Sequence, residues 1–201
     1  MTLLNDKLDR NWMVLLIGGA SGTGKSTLAY NLGEYYGVNV MEVDDIHLAV
    51  EKVTTGKDYP AIHYWEQGIN WKEIGVERNV QWLQDVSAEM NPILKALIER
   101  HLEDQVPIIL EGDFIDPRLL NDIESDQVKG LFVYEENQKE IIQNYWNREG
   151  GEPQDYRAQI SVNYGKLLAE YCDENGLCIV DARPWDTSLD RAILCIHQAN
   201  S

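Results

Sequence analysis

Positive charge is what this sequence has least of: 17 Lys and Arg stand against 34 Asp and Glu, a formal charge of −17 over 201 residues. A nucleic-acid binder needs a cationic face to displace counterions from phosphates, so nucleic acid is not an expected partner. Cysteine is scarce too. Cys172, Cys178 and Cys195 form no C-x-x-C pair and no His-rich cluster, which speaks against a zinc site or a disulfide framework and for a reducing cytoplasm. Long hydrophobic runs are missing. The apolar run 12–20 is too short to cross a bilayer, and the first ten residues lack the pattern of a signal peptide, so no membrane partner is expected. The length suits one α/β domain with a buried core and a helical elaboration, hardly two. The chain is therefore read as one domain, 1–201, with a homodimer left open.

What is present alternates. Short apolar runs at 13–18, 38–43, 107–111, 128–133 and 177–180 are separated by helix-period segments at 25–36, 136–148, 156–175 and 188–198. That alternation predicts βαβ units and a parallel sheet with both faces covered. Residues 48–104 do not fit a simple crossover. They open with a turn-rich, aromatic stretch that includes Trp65 and Trp71, then continue as a long amphipathic pattern over 76–102 that includes Trp82 and breaks near Asn91 and Pro92. An insertion of that length is usually functional. It is the expected acceptor-binding part, its tryptophans serving either an interface or a pocket.

Gly19, Ala20, Ser21, Gly22, Thr23, Gly24, Lys25 and Ser26 fit G-x-x-x-x-G-K-[ST] between a predicted strand and a predicted helix, the context that motif requires. Glycines let the backbone turn so that successive N–H groups point at phosphate oxygens. The helix beginning at Lys25 adds its positive dipole end. Lys25 offers a cation to the β- and γ-phosphates, Ser26 a hydroxyl to Mg²⁺, and Thr27 completes the nucleotide-binding run. ATP with Mg²⁺ is the expected cofactor.

In open α/β sheets the ligand lies beyond the carboxyl ends of the strands. Asp44 and Asp45 follow the second predicted strand, and Glu111, Gly112 and Asp113 the third. A kinase for an alcohol needs one carboxylate to accept the hydroxyl proton and another on the metal. Asp44 and Asp45 are candidates for the first task, unless one caps the following helix. Glu111, at the end of an apolar run, is preferred to Asp113 for the metal, with Asp44 beside it. Arg148, before Gly150 and Gly151, is the candidate arginine of a lid over 147–157, with Arg157 a weaker one. Arg183, Pro184 and Trp185 follow the last strand and are read as a clasp for the nucleotide base, with core packing as the alternative for Trp185. His47, His63, His101 and His197 show no ligand spacing.

The order GGASGTGKST, VDDI, a helical insertion, PIILEGDFIDP, LFVYEENQKEIIQNYWNRE and CIVDARPW resembles the P-loop small-molecule kinases. Within them it is most similar to the 2-phosphoglycerate kinase-like group, with relatives among nucleoside and antibiotic kinases. The resemblance implies a three-layer P-loop NTPase fold, a five-stranded parallel sheet in the order 2-3-1-4-5, a lid after strand four, and ATP as phosphate donor to a small-molecule acceptor. By the same resemblance Asp44 or Asp45 lies at the acceptor, Glu111 near Mg²⁺ and Arg148 in the lid. A nucleoside monophosphate kinase would want more arginines before Arg118. From another class, a nucleotide-dependent regulatory ATPase acting through a protein partner remains the alternative.

Overall fold

The computed structural model describes residues 9–198; most of the N-terminal segment read as lacking a leader pattern lies outside the described residues. Five strands, β1 (Val14–Gly19), β2 (Asn39–Glu42), β3 (Ile108–Glu111), β4 (Val128–Tyr134) and β5 (Cys178–Asp181), form one parallel sheet. Their order is β2-β3-β1-β4-β5, as the resemblance implies. Every strand end lies within one residue of its expected position.

The strands are short and apolar because helices cover both faces. Val14 and Leu16 of β1 turn toward one layer, Leu15 and Ile17 toward the other, and all four are fully buried. One layer holds α1 (Lys25–Tyr36) and α6 (Ser188–Gln198); the other holds α3 (Val76–Asp104) and α5 (Asp155–Glu174). Val86, Met90, Leu94 and Ile98 recur every four residues along α3 and are all 0% exposed, the stripe expected of a helix laid on a sheet. Each contributes about 1.5–3 kcal/mol of burial.

That stripe explains the first correction. The amphipathic pattern was expected to break near Pro92, yet α3 runs unbroken through it. Proline lacks an N–H and costs about 3 kcal/mol inside a helix; the buried side chains on either side outweigh it. The second correction concerns the segment after β2. Val43, read as the end of the second strand, instead opens α2 (Val43–Val53), which puts Asp44 and Asp45 in the first turn of that helix. Neither caps that helix: its N-cap is Glu42, and no side-chain cap bond is made.

A third correction concerns cysteine. Cys178 of β5 and Cys195 of α6 are disulfide-bonded, with Cα atoms 5.7 Å apart, whereas Cys172 is free and buried. Sequence spacing gave no support for a bond because the pairing is set by how α6 packs on β5. No helix among the described residues is long and apolar enough to cross a membrane.

Strand register decides where a site can form. Ile17 pairs with Glu111, Glu42 with Glu111, and Gly19 with Val133. The carboxyl ends of β1 to β4 therefore finish level at one edge of the sheet, beside the start of α1. The helix after β4, α4 (Gln138–Glu149), leaves the same edge and leads into α5 through Gly150 and Gly151.

Candidate active site

The loop from β1 to α1 turns through Gly22 (φ 80) and Gly24 (φ 87), the left-handed region that side-chain-bearing residues avoid. Gly24 is doubly constrained, because a Cβ there would fall 2.1 Å from the Trp185 ring. Two neighbours fix the loop from outside. The Tyr145 hydroxyl donates to the Ser21 carbonyl at 3.0 Å, and the Asn144 amide to the Gly22 carbonyl at 2.8 Å. Thr23 ties the loop internally, its hydroxyl donating to the Ala20 carbonyl at 2.9 Å. The Thr23 N–H also bonds the Ala20 carbonyl, at 3.4 Å, and a loop shaped in this way can turn its other N–H groups to an anion. A cavity of about 560 Å³ lies over the loop, lined by Gly22, Gly24, Lys25, Ser26, Thr27, Arg148 and Trp185 among others. Gly19 and Ala20 form the floor as the chain leaves β1, Gly19 with no room for a side chain against the Val133 carbonyl.

Four acidic or cationic side chains meet beneath that cavity. Lys25, only 7% exposed, donates to the Asp113 carboxylate. Burial works to lower its pKa, but Asp113, Glu111 and Asp44 outweigh burial and hold it above the ordinary lysine value. Ser26 donates to Glu111 Oε1 at 2.9 Å. Burial raises the Glu111 carboxyl above its usual range, against Lys25 and Ser26, which lower it. Asp44 reaches solvent at its outer face, and its Oδ1 lies over Gly112, 3.6 Å from where a Cβ would stand. Desolvation by surrounding protein and the nearby Asp113 charge raise its carboxyl to about 6, with Lys25 opposing.

Glu111 Oε2 is buried without a hydrogen-bond partner. An unpaired buried carboxylate oxygen is costly, and one beside the Ser26 hydroxyl is what a hard cation bound to nucleotide would satisfy. Among the described residues no cluster of three His, Cys, Asp or Glu forms an all-protein metal cage. Mg²⁺ needs none, since it is ordinarily held by one or two carboxylates, waters and the substrate's phosphates. Ser26, Glu111 and the adjacent Asp44 fit that requirement.

A second cavity, of about 330 Å³, opens on the other side of Asp113. Its walls come from the insertion through Trp65, Trp71, Trp82 and Leu83, and from Phe114, Tyr145, Arg157, Ile160 and Tyr164. The Tyr164 hydroxyl donates to the Asp113 backbone carbonyl at 3.2 Å, fixing the turn that carries this carboxylate. Glu89 of α3 accepts from the Ala61 and Ile62 N–H groups at 3.0 Å, and Trp82 Nε1 donates to the Ala61 carbonyl at 2.9 Å. These bonds hold the aromatic loop of the insertion against α3.

No family model matches the chain. Over 119 residues, 57% of its length, it is 29% identical to the 2-phosphoglycerate kinase of Methanocaldococcus jannaschii. Over 113 residues, 54% of its length, it is 30% identical to that of Methanopyrus kandleri. The matches span 38% and 34% of those relatives' own lengths, well under half. Among solved structures, a gluconokinase from Sinorhizobium meliloti superposes with a TM-score of 0.53 at 13% identity, over 95% of this chain and 94% of its own. A shikimate kinase from Acinetobacter baumannii gives 0.53 at 15% identity, over 95% and 96%.

The chain carries the P-loop NTPase fold.

Within this P-loop NTPase fold the expected residues are distributed unevenly. Lys25, Ser26, Glu111 and Asp44 converge; Asp44 and Asp45 are both exposed. Arg148 lines the nucleotide-side cavity, with its guanidinium paired to Glu149 at 2.5 Å. Arg157 belongs to the aromatic cavity; it pairs with Glu149 at 3.0 Å and stacks over the Tyr145 ring at 4.2 Å. Arg183 is engaged by Glu135 at 3.3 Å and Glu140 at 2.6 Å and lies over the Trp185 ring at 5.6 Å. Trp185 is half-buried against the P-loop, so it flanks the nucleotide-side cavity rather than closing the core. The Arg183–Pro184 peptide bond is cis.

The preference for Glu111 over Asp113 concerned the metal; the turn through Gly112 brings Asp113 to Lys25 instead. Asn144 and Tyr145 were not among the expected residues. Asn144 and Tyr145 carried no signal, because their task is to hold backbone carbonyls more than a hundred residues away. His63 is 4% exposed, held by Thr54 at 3.0 Å and Glu66 at 2.9 Å, a structural role.

Proposed function

We propose that the chain is an ATP-dependent phosphotransferase that moves the γ-phosphate of Mg·ATP to a hydroxyl of a small molecule. One observation carries this reading. Lys25 lines the P-loop cavity, Asp113 lines the aromatic cavity, and the two side chains touch. A donor phosphate and an acceptor hydroxyl would then meet across one ion pair. The names of the relatives, kinases of 2-phosphoglycerate, gluconate and shikimate, agree with phosphotransfer to small alcohols.

In this reading the P-loop N–H groups and Lys25 hold the β- and γ-phosphates, and Trp185 with Arg183 flanks the base. Ser26, Glu111 and Asp44 hold Mg²⁺, which supplies charge neutralisation on the phosphates. The acceptor hydroxyl gives its proton to Asp113. Its oxygen forms a bond to the γ-phosphorus as the bond from that phosphorus to the ADP oxygen breaks, and ADP leaves with the electron pair. Lys25 neutralises charge on the transferring group. Arg148 and Arg157, joined through Glu149 beside Gly150 and Gly151, form a lid over 147–157 that closes on both ligands. Residues 48–104 form the acceptor-binding insertion. We place the protein in the cytoplasm, where ATP and Mg²⁺ are abundant.

A regulatory ATPase acting through a protein partner would need no aromatic cavity beside the γ-phosphate side. The test is ADP release from Mg·ATP across a panel of small alcohols, with Lys25→Ala as blank. Strong stimulation by an acceptor is expected; ATP binding without stimulation by any acceptor would favour the regulatory reading.

A further inference from the structure

The aromatic cavity carries an inference about its ligand that the names of the relatives do not contain. Its lining holds one cation, Arg157, and that guanidinium is already shared with Glu149 and Gln154, each at 3.0 Å. A phosphate monoester is a dianion, and its recognition calls for several charge-assisted donors. Apart from the Ser21 hydroxyl at the phosphate-loop end, most other polar groups of the lining are bonded within the protein. Asn79 donates its amide to the Trp71 and Gly75 carbonyls at 2.8 and 2.7 Å. Ser161 is paired with the Tyr145 hydroxyl at 2.8 Å, and the Tyr164 hydroxyl serves Asp113. The Trp82 N–H is bonded to Ala61, so that indole presents its ring and not its donor.

What remains for a ligand is aromatic surface. Trp65 and Trp82 stand with ring centroids 4.8 Å apart, Trp82 and Phe114 6.1 Å apart, and Trp71 leans on Tyr156 at 5.5 Å. Trp65, Trp71 and Trp82 are each only half-buried. A volume of about 330 Å³ lies at the lower end of small-molecule pockets, ~300–1,000 Å³. Rings offer offset-stacked and edge contacts worth about 0.5–1.5 kcal/mol beyond area burial. The polar end of the cavity is the Asp113 carboxylate, whose Oδ1 is held by Lys25 from the P-loop side, leaving Oδ2 to a hydroxyl.

We propose that this cavity takes a phosphate-free alcohol carrying an aromatic ring, the ring among Trp65, Trp71, Trp82 and Phe114 and the hydroxyl at Asp113. This deepens the phosphotransferase reading and rests on it for the fate of the hydroxyl, but not for the binding. It separates the chain from relatives named for a phosphorylated acceptor.

The experiment is a calorimetric titration of the intact protein, with and without Mg·ADP, using hydroxybenzyl alcohol and phenylpropanediol against 2-phosphoglycerate, glycerate and gluconate. ADP release from Mg·ATP is measured with the same compounds. The expected result is binding of the aromatic alcohols alone, weakened about tenfold or more in Trp71→Ala, and stimulated ADP release with them. Trp65→Ala serves as the second variant should Trp71→Ala fail to fold. Binding and turnover of 2-phosphoglycerate or gluconate instead would overturn the ligand class and leave the kinase reading standing. Binding of aromatic alcohols without any ADP release would uphold the ligand class and overturn the kinase reading. Failure of the aromatic alcohols to bind overturns the proposal.

Discussion

Lys25 and Asp113 lie 88 residues apart in the chain and in direct contact in the fold, the lysine opening the first helix and the aspartate following the third strand. The pair forms the boundary between two cavities, one over the P-loop and one walled by the insertion. Removing either partner should therefore have distinct consequences. Lys25→Ala is expected to lower kcat/KM about 10²- to 10³-fold, the loss typical of one charge-stabilising group. Asp113→Asn is expected to lower kcat by a similar or larger factor, about 10²- to 10⁴-fold, while nucleotide affinity changes only a few-fold. Steady-state kinetics beside nucleotide titrations separate the two, and equal effects on kcat and on nucleotide affinity in Asp113→Asn would remove it from the chemistry.

Glu111 tests the metal assignment. Its Oε1 accepts from Ser26 and its Oε2 has no partner, so Glu111→Gln keeps the shape and deletes the charge. Folding should survive, because burial already raises this carboxyl and disfavours its ionised form. The Mg²⁺ dependence of nucleotide binding should shift to roughly tenfold higher concentration, in line with effects of altering a metal's polar surroundings. Calorimetry of ADP binding at varied Mg²⁺ reads this directly, and an unchanged Mg²⁺ dependence would rule Glu111 out.

Tyr145 tests how the phosphate loop is shaped. Its hydroxyl bridges the Ser21 carbonyl and Ser161 while the ring lines both cavities. Tyr145→Phe should cost about 1 kcal/mol of stability and weaken nucleotide binding, since the loop loses an outside support. Denaturant unfolding with and without ADP is the measurement; stability lost with nucleotide affinity intact would show that the bond braces α4 and α5 only.

His47 supplies a pH dependence. Burial lowers its pKa from 6.5, and His63 lowers it further, against Glu51, which raises it; its Nε2 is buried without a partner and its ring lies 4.7 Å from Phe114. A folded-state pKa below the unfolded value means that the unfolded chain takes up the proton first. Stability is therefore fully present above about pH 6.5 and is lost as pH falls from there toward the folded-state value. Between about pH 7.5 and 5.5 the wild type should lose more stability than His47→Gln in denaturant titrations. Parallel curves for the two proteins would contradict this.

Much of this was legible in the sequence because it is local. Hydrophobic period and length gave all five strands within a residue at each end, and Gly22, Gly24, Lys25 and Ser26 announced a phosphate loop, since backbone turning and helix start are decided by neighbours in the chain. The acidic residues after β2 and β3 were recognisable for the same reason: strand ends are local events. The sheet order came with the family resemblance rather than from any period.

Tertiary structure decided the rest. Asp44 and Asp45 are adjacent, alike in sequence and both exposed, but only Asp44 has its carboxylate over Gly112. Asp113 reaches Lys25 only because β1 and β3 pair in a register that levels their ends. Pro92 is tolerated because Met90, Leu94 and Ile98 are buried together on the sheet, an energy no local propensity contains. Cys178 and Cys195 meet through the docking of α6 on β5. Trp65, Trp71 and Trp82 enclose a cavity because a 29-residue helix brings a distant loop back to the phosphate site. The sequence determines what each short segment can be. Which side chains share a volume is set by packing between segments far apart in the chain, where burial free energy outweighs local preference.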